Sequence, residues 1–148
     1  MALRNDSLDS KVEMAKALFP SIPKGYYAVQ SDGDEPLQFI RVSFPTFGTY
    51  KGWQKVQSQH GERLETGVII SPQGDTQVYR RATLDAGMLI VADPVRAAIR
   101  YAREIGNCCR CNATLTDERS RYYGIGPECE KAWPDVIERV DESVELQG

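Results

Sequence analysis

Apolar and polar residues alternate over much of residues 25–91 as they do in β-strands. An Asp32-Gly33 pair, which is a hairpin-turn signal, separates the first two of these segments. The predicted strands are residues 26–29, 37–42, 50–56, 68–70 and 77–79, followed by 84–91 as a last strand or a loop leading into one. The polar run 57–63 between them, which holds His60, is predicted as a solvated loop.

Helical patterns lie on either side of this region. Ser10-x-x-Glu13 is a capping box, and apolar residues then recur at helical spacing until Pro20. We expect this short helix to cover the sheet, with a mobile partner-binding segment as the alternative. Asp93-Pro94 is a helix start and Gly106-Asn107 a helix stop, which together predict a helix ending at Ile105.

The predicted fold class is α+β, with a small antiparallel sheet or half-barrel followed by a helix and a treble-clef-like zinc knuckle. Three segments are expected: an N-terminal segment with a short helix (1–24), a β-rich domain (25–92), and a helix with the zinc-knuckle-like module and an acidic tail (93–148). A chain of 148 residues is long enough to bury a core of its own.

Composition narrows the class of protein further. The chain is 41% hydrophobic and 26% charged, as soluble globular proteins are, and its net charge of −3 excludes a globally basic nucleic-acid coat. No apolar run reaches the roughly 20 residues that span a bilayer, and the N-terminus lacks the apolar core of a signal peptide. We therefore expect the protein in the cytoplasm, with no membrane partner.

All four cysteines lie between Cys108 and Cys129. Cys108-x-x-Cys111 has the spacing of a zinc knuckle, in which two thiolates occupy two corners of a tetrahedron. Cys129 follows a Gly-Pro helix start, so it projects from a first helical turn, where thiolates are stabilised. A reducing compartment favours metal binding, and a structural zinc ion is the expected cofactor. A metal-free thiol cluster and a disulfide are the alternatives.

The fourth zinc ligand is not a cysteine in this pattern. Cys109 would crowd the metal beside Cys108 and Cys111, and Asp117 is the favoured ligand because carboxylate oxygen also binds zinc. Glu118, the distant His60 or a water molecule are the alternatives. A water molecule in that position would be typical of a catalytic site.

The region around the cysteines resembles a small domain family of unknown function. The matching residues are Cys108-x-x-Cys111-Asn112, Leu115-Thr116-Asp117, Ser120 and Gly124-Ile125-Gly126-Pro127-x-Cys129. The family occurs in proteins of actinobacterial phages and their hosts, alone or appended to DNA-processing proteins, and its pattern has Gly-Arg where this chain has Asn112-Ala113. The resemblance covers residues 105–133, and it implies a zinc fold and a phage-type context without an established activity.

Six arginines form a basic region on this acidic chain. They are Arg96, Arg100, Arg103, Arg110, Arg119 and Arg121. The first three fall at i, i+4 and i+7, so they share one face of the predicted helix. Because the arginine fork suits phosphate oxygens, the arginines are candidate contacts for nucleic acid or another partner. The alternative is a solvated helix face that pairs with the acidic C-terminus.

Aromatic residues are frequent in the β-rich segment. They are Tyr26, Tyr27, Phe44, Phe47, Tyr50 and Trp53. Such side chains can form a stacking platform for bases on a small barrel. Core packing is the favoured prediction for most of them, because a small sheet has few other large side chains to bury.

Together these patterns predict a small cytosolic phage-type accessory protein with a structural zinc site. It would bind nucleic acid or a host protein, for example in host takeover or anti-defence. The alternative is a zinc-dependent hydrolase or nuclease with an open coordination position and Glu118 or Glu128 as the base. A purely structural or dimerising role is the third possibility. No motif assigns a catalytic residue or a small-molecule substrate, so a non-enzymatic role is favoured.

Overall fold

The computed structural model describes residues 2–147, with side chains described for residues 8–143. Within that span the fold is α+β, as predicted. The helices and strands in chain order are α1 (Ala2–Leu18), β1 (Gly25–Val29), β2 (Gln38–Ser43), β3 (Gln54–His60), β4 (Arg63–Ile70), β5 (Thr76–Val78), α2 (Arg81–Ala92), α3 (Pro94–Ile105), α4 (Glu118–Tyr123), α5 (Pro127–Ala132) and α6 (Asp135–Gln147), with a short 3-10 turn at Phe19–Ser21.

The five strands form one antiparallel sheet in the order β1-β2-β3-β4-β5. Each strand pairs with the next along the chain, and no pairing between β1 and β5 closes the sheet within residues 2–147. Burial alternates along β2 and β3, where Ile40, Val42 and Val56 are buried on the inner face while Phe39 and Arg41 lie half-buried on the outer face. The sheet is therefore open, with two faces of different chemistry.

The inner face of the sheet is covered by α1 and α2. Phe19, Leu84 and Ile90 are fully buried there together with the inner-face residues of the strands. Buried residues from all three predicted segments belong to one hydrophobic cluster, which also includes Trp133 and Val136 near the C-terminus. One continuous core thus joins the sheet to the C-terminal helices.

The predicted helix after residue 93 is confirmed as α3. The Asp93 carboxylate accepts a hydrogen bond from the Arg96 N–H at 3.2 Å, which caps the first turn. Gly106 ends the helix in the left-handed conformation, with a φ of 84°. One face of α3 packs against β1 and buries Ala98 and Tyr101. The chain then enters the cysteine-containing segment directly.

The prediction of a strand at residues 84–91 is wrong, because these residues lie in α2. A short apolar run fits a buried helix as well as a buried strand, and periodicity alone does not separate the two. Arg80, at the N-cap of α2, makes no side-chain capping hydrogen bond, so the usual helix-start signal is missing.

The prediction of a loop at residues 57–63 is also wrong. These residues form the ends of β3 and β4 and the tight turn between them, with His60 paired to Arg63. Their polar side chains indicated a loop because this end of the sheet is solvated. The predicted third strand correspondingly begins at Gln54 rather than residue 50.

Three helical assignments differ in extent from the sequence prediction. The first helix begins at Ala2 rather than near Ser10, and α6 runs for 13 residues rather than as a short helix. The segment between knuckle and helix, predicted as turns, contains α4. None of the helices in the described part of the chain is long and apolar enough to cross a membrane.

The aromatic residues are less buried than predicted. Only Tyr27 is fully buried, and Trp53 is half-buried. Phe44, Phe47 and Tyr50 lie in the β2–β3 connection and are exposed, Phe47 by 83%. The prediction of core packing is therefore wrong for these three, because their segment is a surface connection rather than a strand.

Candidate metal centre

The sulfur atoms of Cys108, Cys111 and Cys129 lie within 4.8 Å of one another. Cys108 and Cys111 come from the turn after α3, and Cys129 comes from the first turn of α5. Thiolates bound to one tetrahedral zinc ion at about 2.3 Å would be about 3.8 Å apart, so this spacing is compatible with a shared metal ion. Three of the four predicted ligands are thus brought together in a group that can hold a metal.

The turn between Cys108 and Cys111 has the backbone of a knuckle. Asn112 follows it in the left-handed conformation, with a φ of 67°, and the Asn112 N–H donates to the Cys108 carbonyl at 2.9 Å. The N–H groups of Arg110 and Gly126 point at the Cys108 sulfur, at 3.5 and 3.3 Å. Such donors orient a thiolate and stabilise its charge, as second-shell groups do around metal sites.

The electrostatics of the group favour a bound cation. Burial alone would raise the pKa of Cys108, but the N–H donors around its sulfur hold that pKa below its ordinary value. Burial, together with the adjacent sulfurs of Cys111 and Cys108, raises the pKa of Cys129 to about 12. Three thiolates this close repel one another, so full ionisation of the group requires a positive ion among them.

Cys109 stands apart from this group. Its side chain is fully buried, and burial raises the pKa of its thiol. Its backbone joins two elements, because its carbonyl accepts the Tyr26 N–H at 2.6 Å and its own N–H donates to the Gly124 carbonyl at 3.1 Å. A Cβ on Gly25 would lie 2.7 Å from the Cys109 carbonyl oxygen, so this contact between knuckle and β1 requires glycine.

Asp117, the predicted fourth ligand, is not among the grouped atoms. Its carboxylate caps α4 by accepting the Ser120 N–H at 3.1 Å, and this hydrogen bond lowers the pKa of Asp117. The alternative ligand His60 lies at the end of β3, where its ring contacts Ser58 and Arg80. A role for Asp117 at the metal would require its carboxylate to leave this cap.

The arginines of α3 lie on its exposed side. Arg96 and Arg103 line one cavity of about 240 Å³, and Arg139 from α6 joins them there. Arg100 lines a neighbouring cavity with Arg96 and donates to the Gln30 side chain at 2.9 Å. Arg139, which was not predicted, is brought in by the packing of α6 on α3, and no local sequence signal places it there.

The remaining predicted arginines have other surroundings. Arg119 pairs with Glu130 at 3.1 Å, and Arg121 donates to the Leu115 carbonyl at 3.1 Å. Arg110 lines a different cavity, beside Cys111 and Cys129. The six arginines are therefore distributed over at least three local environments. Among the described side chains, no ion pair joins the α3 arginines to the acidic residues of α6.

A family of unknown function, DUF6011, matches residues 98–134 of the chain. The match covers about a quarter of the chain and contains α3 from Ala98, all four cysteines and α5. No curated protein and no solved structure matches the chain. The predicted resemblance to a domain family of unknown function is thus confirmed for the cysteine-containing region.

Proposed function

We propose that this chain is a small zinc-binding protein that binds nucleic acid through exposed arginines of α3, as an accessory factor in a phage-type setting. The observation that carries the proposal is the convergence of Arg96, Arg103 and Arg139, called the arginine face below, around one cavity. Arginine is the side chain best suited to phosphate oxygens. Among the described side chains, Arg96 and Arg103 take part in no ion pair, while Arg139 already pairs with Asp93 at 2.7 Å.

The proposed role of zinc is structural. Three thiolates in a tetrahedral arrangement suit zinc, and a segment of about 25 residues is too small to build a core without a staple. Metal binding would then supply folding free energy to the segment that follows α3. The arginine face is attached to this segment through α3 itself, so the ion would fix the helix that presents the arginines.

Salt dependence of DNA binding tests this proposal. The measurement is fluorescence anisotropy of a labelled duplex of about 20 base pairs and of its single strand, from about 50 to 200 mM salt. If the arginine face contacts phosphates, affinity falls steeply with salt, and Arg96→Gln/Arg103→Gln lowers the slope of the log–log plot by up to about 2 on duplex DNA. The matched control is Lys51→Gln/Arg81→Gln, which removes the same charge from two exposed side chains elsewhere.

Three results would contradict the proposal. One is an absence of binding to either DNA at 50 mM salt. Another is an equal loss of affinity in both double variants, which would indicate a nonspecific charge effect. Binding that hardly responds to salt is the third, and it would favour a host protein as the partner, held by apolar contacts.

One observation favours an alternative function, a zinc-dependent hydrolase or nuclease. Cys111 is exposed and Cys129 half-exposed, and both line an open cavity of about 230 Å³. A metal ion held by three thiolates there has room for a fourth ligand from solvent. Glu128, a candidate base, is exposed, and its Oε1 atom lies 3.6 Å from Nζ of Lys131. The test is cleavage of labelled DNA and RNA by the zinc-loaded protein, with Glu128→Gln as the variant that should abolish cleavage.

A further inference from the structure

The outer face of the sheet carries a cavity that no sequence pattern indicated. It has a volume of about 380 Å³ and lies between β1–β4, the end of α3 and the knuckle. Aromatic rings from three segments line it, namely Tyr26, Phe39 and Tyr101. The ring of Tyr101 lies 5.4 Å from that of Tyr26 and 6.0 Å from that of Phe39, measured between centroids. These rings are separated in sequence by up to 75 residues and meet only because α3 packs against β1.

Amide side chains also line this cavity, together with the aliphatic side chains of Ile40, Leu64 and Ile105. Gln59, Asn107 and Asn112 lie around the rings, and Asn112 is held in place by hydrogen bonds from the Tyr101 hydroxyl at 2.6 Å and the Asn107 amide at 3.2 Å. Amides offer both donors and acceptors, which suits the edges of heteroaromatic bases. A flat ring with polar edges therefore fits the chemistry of this cavity better than an aliphatic ligand.

A second, cationic cavity adjoins the first. It has a volume of about 230 Å³, shares Tyr26 and Arg41 with the aromatic cavity, and adds Lys24 and Arg110. The Arg41 guanidinium lies 5.7 Å from the Tyr26 ring centroid, at the junction of the two cavities. A ligand with a flat ring at one end and a negative group at the other could thus contact both.

Charge identifies the group that the cationic cavity would hold. No carboxylate lines either cavity, although the chain as a whole is acidic. In the part of the chain that the structure describes, Lys24, Arg41 and Arg110 take part in no ion pair. Three thiolates with one divalent ion carry a net charge of about −1, so the cations leave this cavity positive even with a metal at Cys111 and Cys129. An anion such as phosphate fits that field.

We propose that the two cavities together form a binding site for one nucleotide unit, with the base against the half-buried rings of Tyr26 and Phe39, which the buried Tyr101 supports, and the phosphate at Lys24, Arg41 and Arg110. Base stacking on aromatic rings and charge contacts to phosphate are the two elements of single-strand recognition. The site uses no residue of the arginine face, so it stands independently of the function proposed above. The nucleotide is either free or part of a single strand.

Isothermal titration calorimetry with the zinc-loaded full chain tests the site. The ligands are the four 5′-monophosphates AMP, GMP, CMP and UMP, the corresponding nucleosides, and single-stranded dT12 and rU12. A mononucleotide that binds more tightly than its nucleoside supports a site for free nucleotides. Binding of an oligomer with no detectable mononucleotide supports a site for a nucleotide within a strand.

Matched variants locate the binding. Phe39→Leu should weaken, by about tenfold, the binding of the ligand that the wild-type chain binds, because a base loses part of its stacking surface. The same change at the exposed Phe47 should have no effect. Arg41→Gln should weaken the binding of nucleotides and leave the binding of nucleosides unchanged, with Arg81→Gln as its control. Circular dichroism and thermal melting of each variant, compared with the wild type, verify that the fold is retained.

Three results would overturn this inference. The first is that none of the monophosphates or oligomers binds the wild-type chain. The second is that Phe39→Leu and Arg41→Gln bind as tightly as their controls while remaining folded. Loss of binding in Arg96→Gln/Arg103→Gln together with retention in Phe39→Leu would place recognition on the arginine face alone. Retention of mononucleotide binding in Arg96→Gln/Arg103→Gln separates this site from the proposed function.

Discussion

The sheet body (residues 2–92) and the cysteine module (residues 106–133) are stabilised in different ways. Of the twelve largest fully buried side chains in the described part of the chain, only Ile125 belongs to the cysteine module. The sheet body has ten of them, and nine of these belong to the hydrophobic cluster between the sheet and its helices. The module instead has short helices of six residues, a knuckle turn and three clustered sulfurs. Hydrophobic burial holds the sheet body, whereas the cysteine module has a smaller core and a sulfur group that could hold a metal ion.

This difference has a thermodynamic consequence. A core of buried aliphatic side chains is stable at any metal concentration, whereas a metal-stapled segment gains its folding free energy from the ion and loses it to a chelator. We therefore expect the two regions to respond separately to metal removal and to core substitutions. The variants below are ordered by the size of the effect expected.

The largest effect is expected from removal of a ligand. Cys108→Ala should abolish metal binding and unfold residues 106–133, because binding of a structural zinc ion is worth on the order of 10 kcal/mol. The sheet body should keep its secondary structure. Elemental analysis gives the metal content, and hydrogen exchange read by mass spectrometry locates the loss of protection.

Cys109→Ala is the matched control for that variant. The Cys109 thiol is buried outside the sulfur group, so this change should cost about 1 kcal/mol and leave one metal ion per chain. Full metal content in Cys108→Ala, or loss of the metal in Cys109→Ala only, would show that the ligands are assigned incorrectly.

A smaller effect is expected from overpacking the sheet body. A Cβ on Gly87 would lie 2.2 Å from the ring of Phe19, so Gly87→Ala forces that ring to move. The cost of about 1–3 kcal/mol exceeds the roughly 1 kcal/mol that alanine gains in a helix. Urea unfolding should therefore show a lower midpoint with unchanged metal content. Gly33→Ala, whose Cβ would meet no atom within 4 Å, is the control.

The smallest effect is expected at the contact between α3 and α6. The Asp93 carboxylate accepts from Arg139 at 2.7 Å. Partial burial would raise the pKa of Asp93, but hydrogen bonds from Arg139 and the Arg96 N–H outweigh it and lower that pKa. The pair therefore stabilises the folded state above the ordinary carboxyl pKa of about 3.9, and this stabilisation is lost as the pH falls through the lowered value.

Asp93→Asn isolates the ion pair because asparagine also caps helices. Both partners are more than a third exposed, so the variant should be only about 0.5 kcal/mol less stable than the wild type at pH 7. Denaturation of both proteins at pH 7 and pH 3 measures the difference. The difference in unfolding free energy between the two proteins should be smaller at pH 3 than at pH 7. A larger difference at pH 3 would mean that the ion pair does not stabilise the folded state in the way described.

The elements that sequence could predict are those with local signals. Asp93-Pro94 and Gly106 mark both ends of α3, and the knuckle spacing brings Cys108 and Cys111 together. The apolar run of α2 has no such signal at its start, since Arg80 makes no cap, and its pattern alone therefore predicts a strand or a loop leading into one. Local chemistry at the ends of an element thus decided which predictions were right.

The residues of the candidate sites were likewise predictable only where a local sequence signal exists. The third sulfur was predictable because Pro127 starts the short helix that carries Cys129. The capping role of Asp117 was hidden, because the same carboxylate suits a metal and a helix N-terminus equally well. The aromatic cavity could not be predicted, because Tyr26 and Tyr101 meet only through the packing of α3 on β1.

The hydrogen bond from the Tyr26 N–H to the Cys109 carbonyl has a consequence for solubility. β1 is an edge strand, and an uncovered edge is a template onto which another chain can add a strand. The knuckle occupies part of that edge through the Cys109 carbonyl, and its Cys108 and Cys111 belong to the sulfur group. An ion that holds the knuckle in place would therefore also protect against aggregation, and chelation should increase the oligomer size while the sheet remains folded.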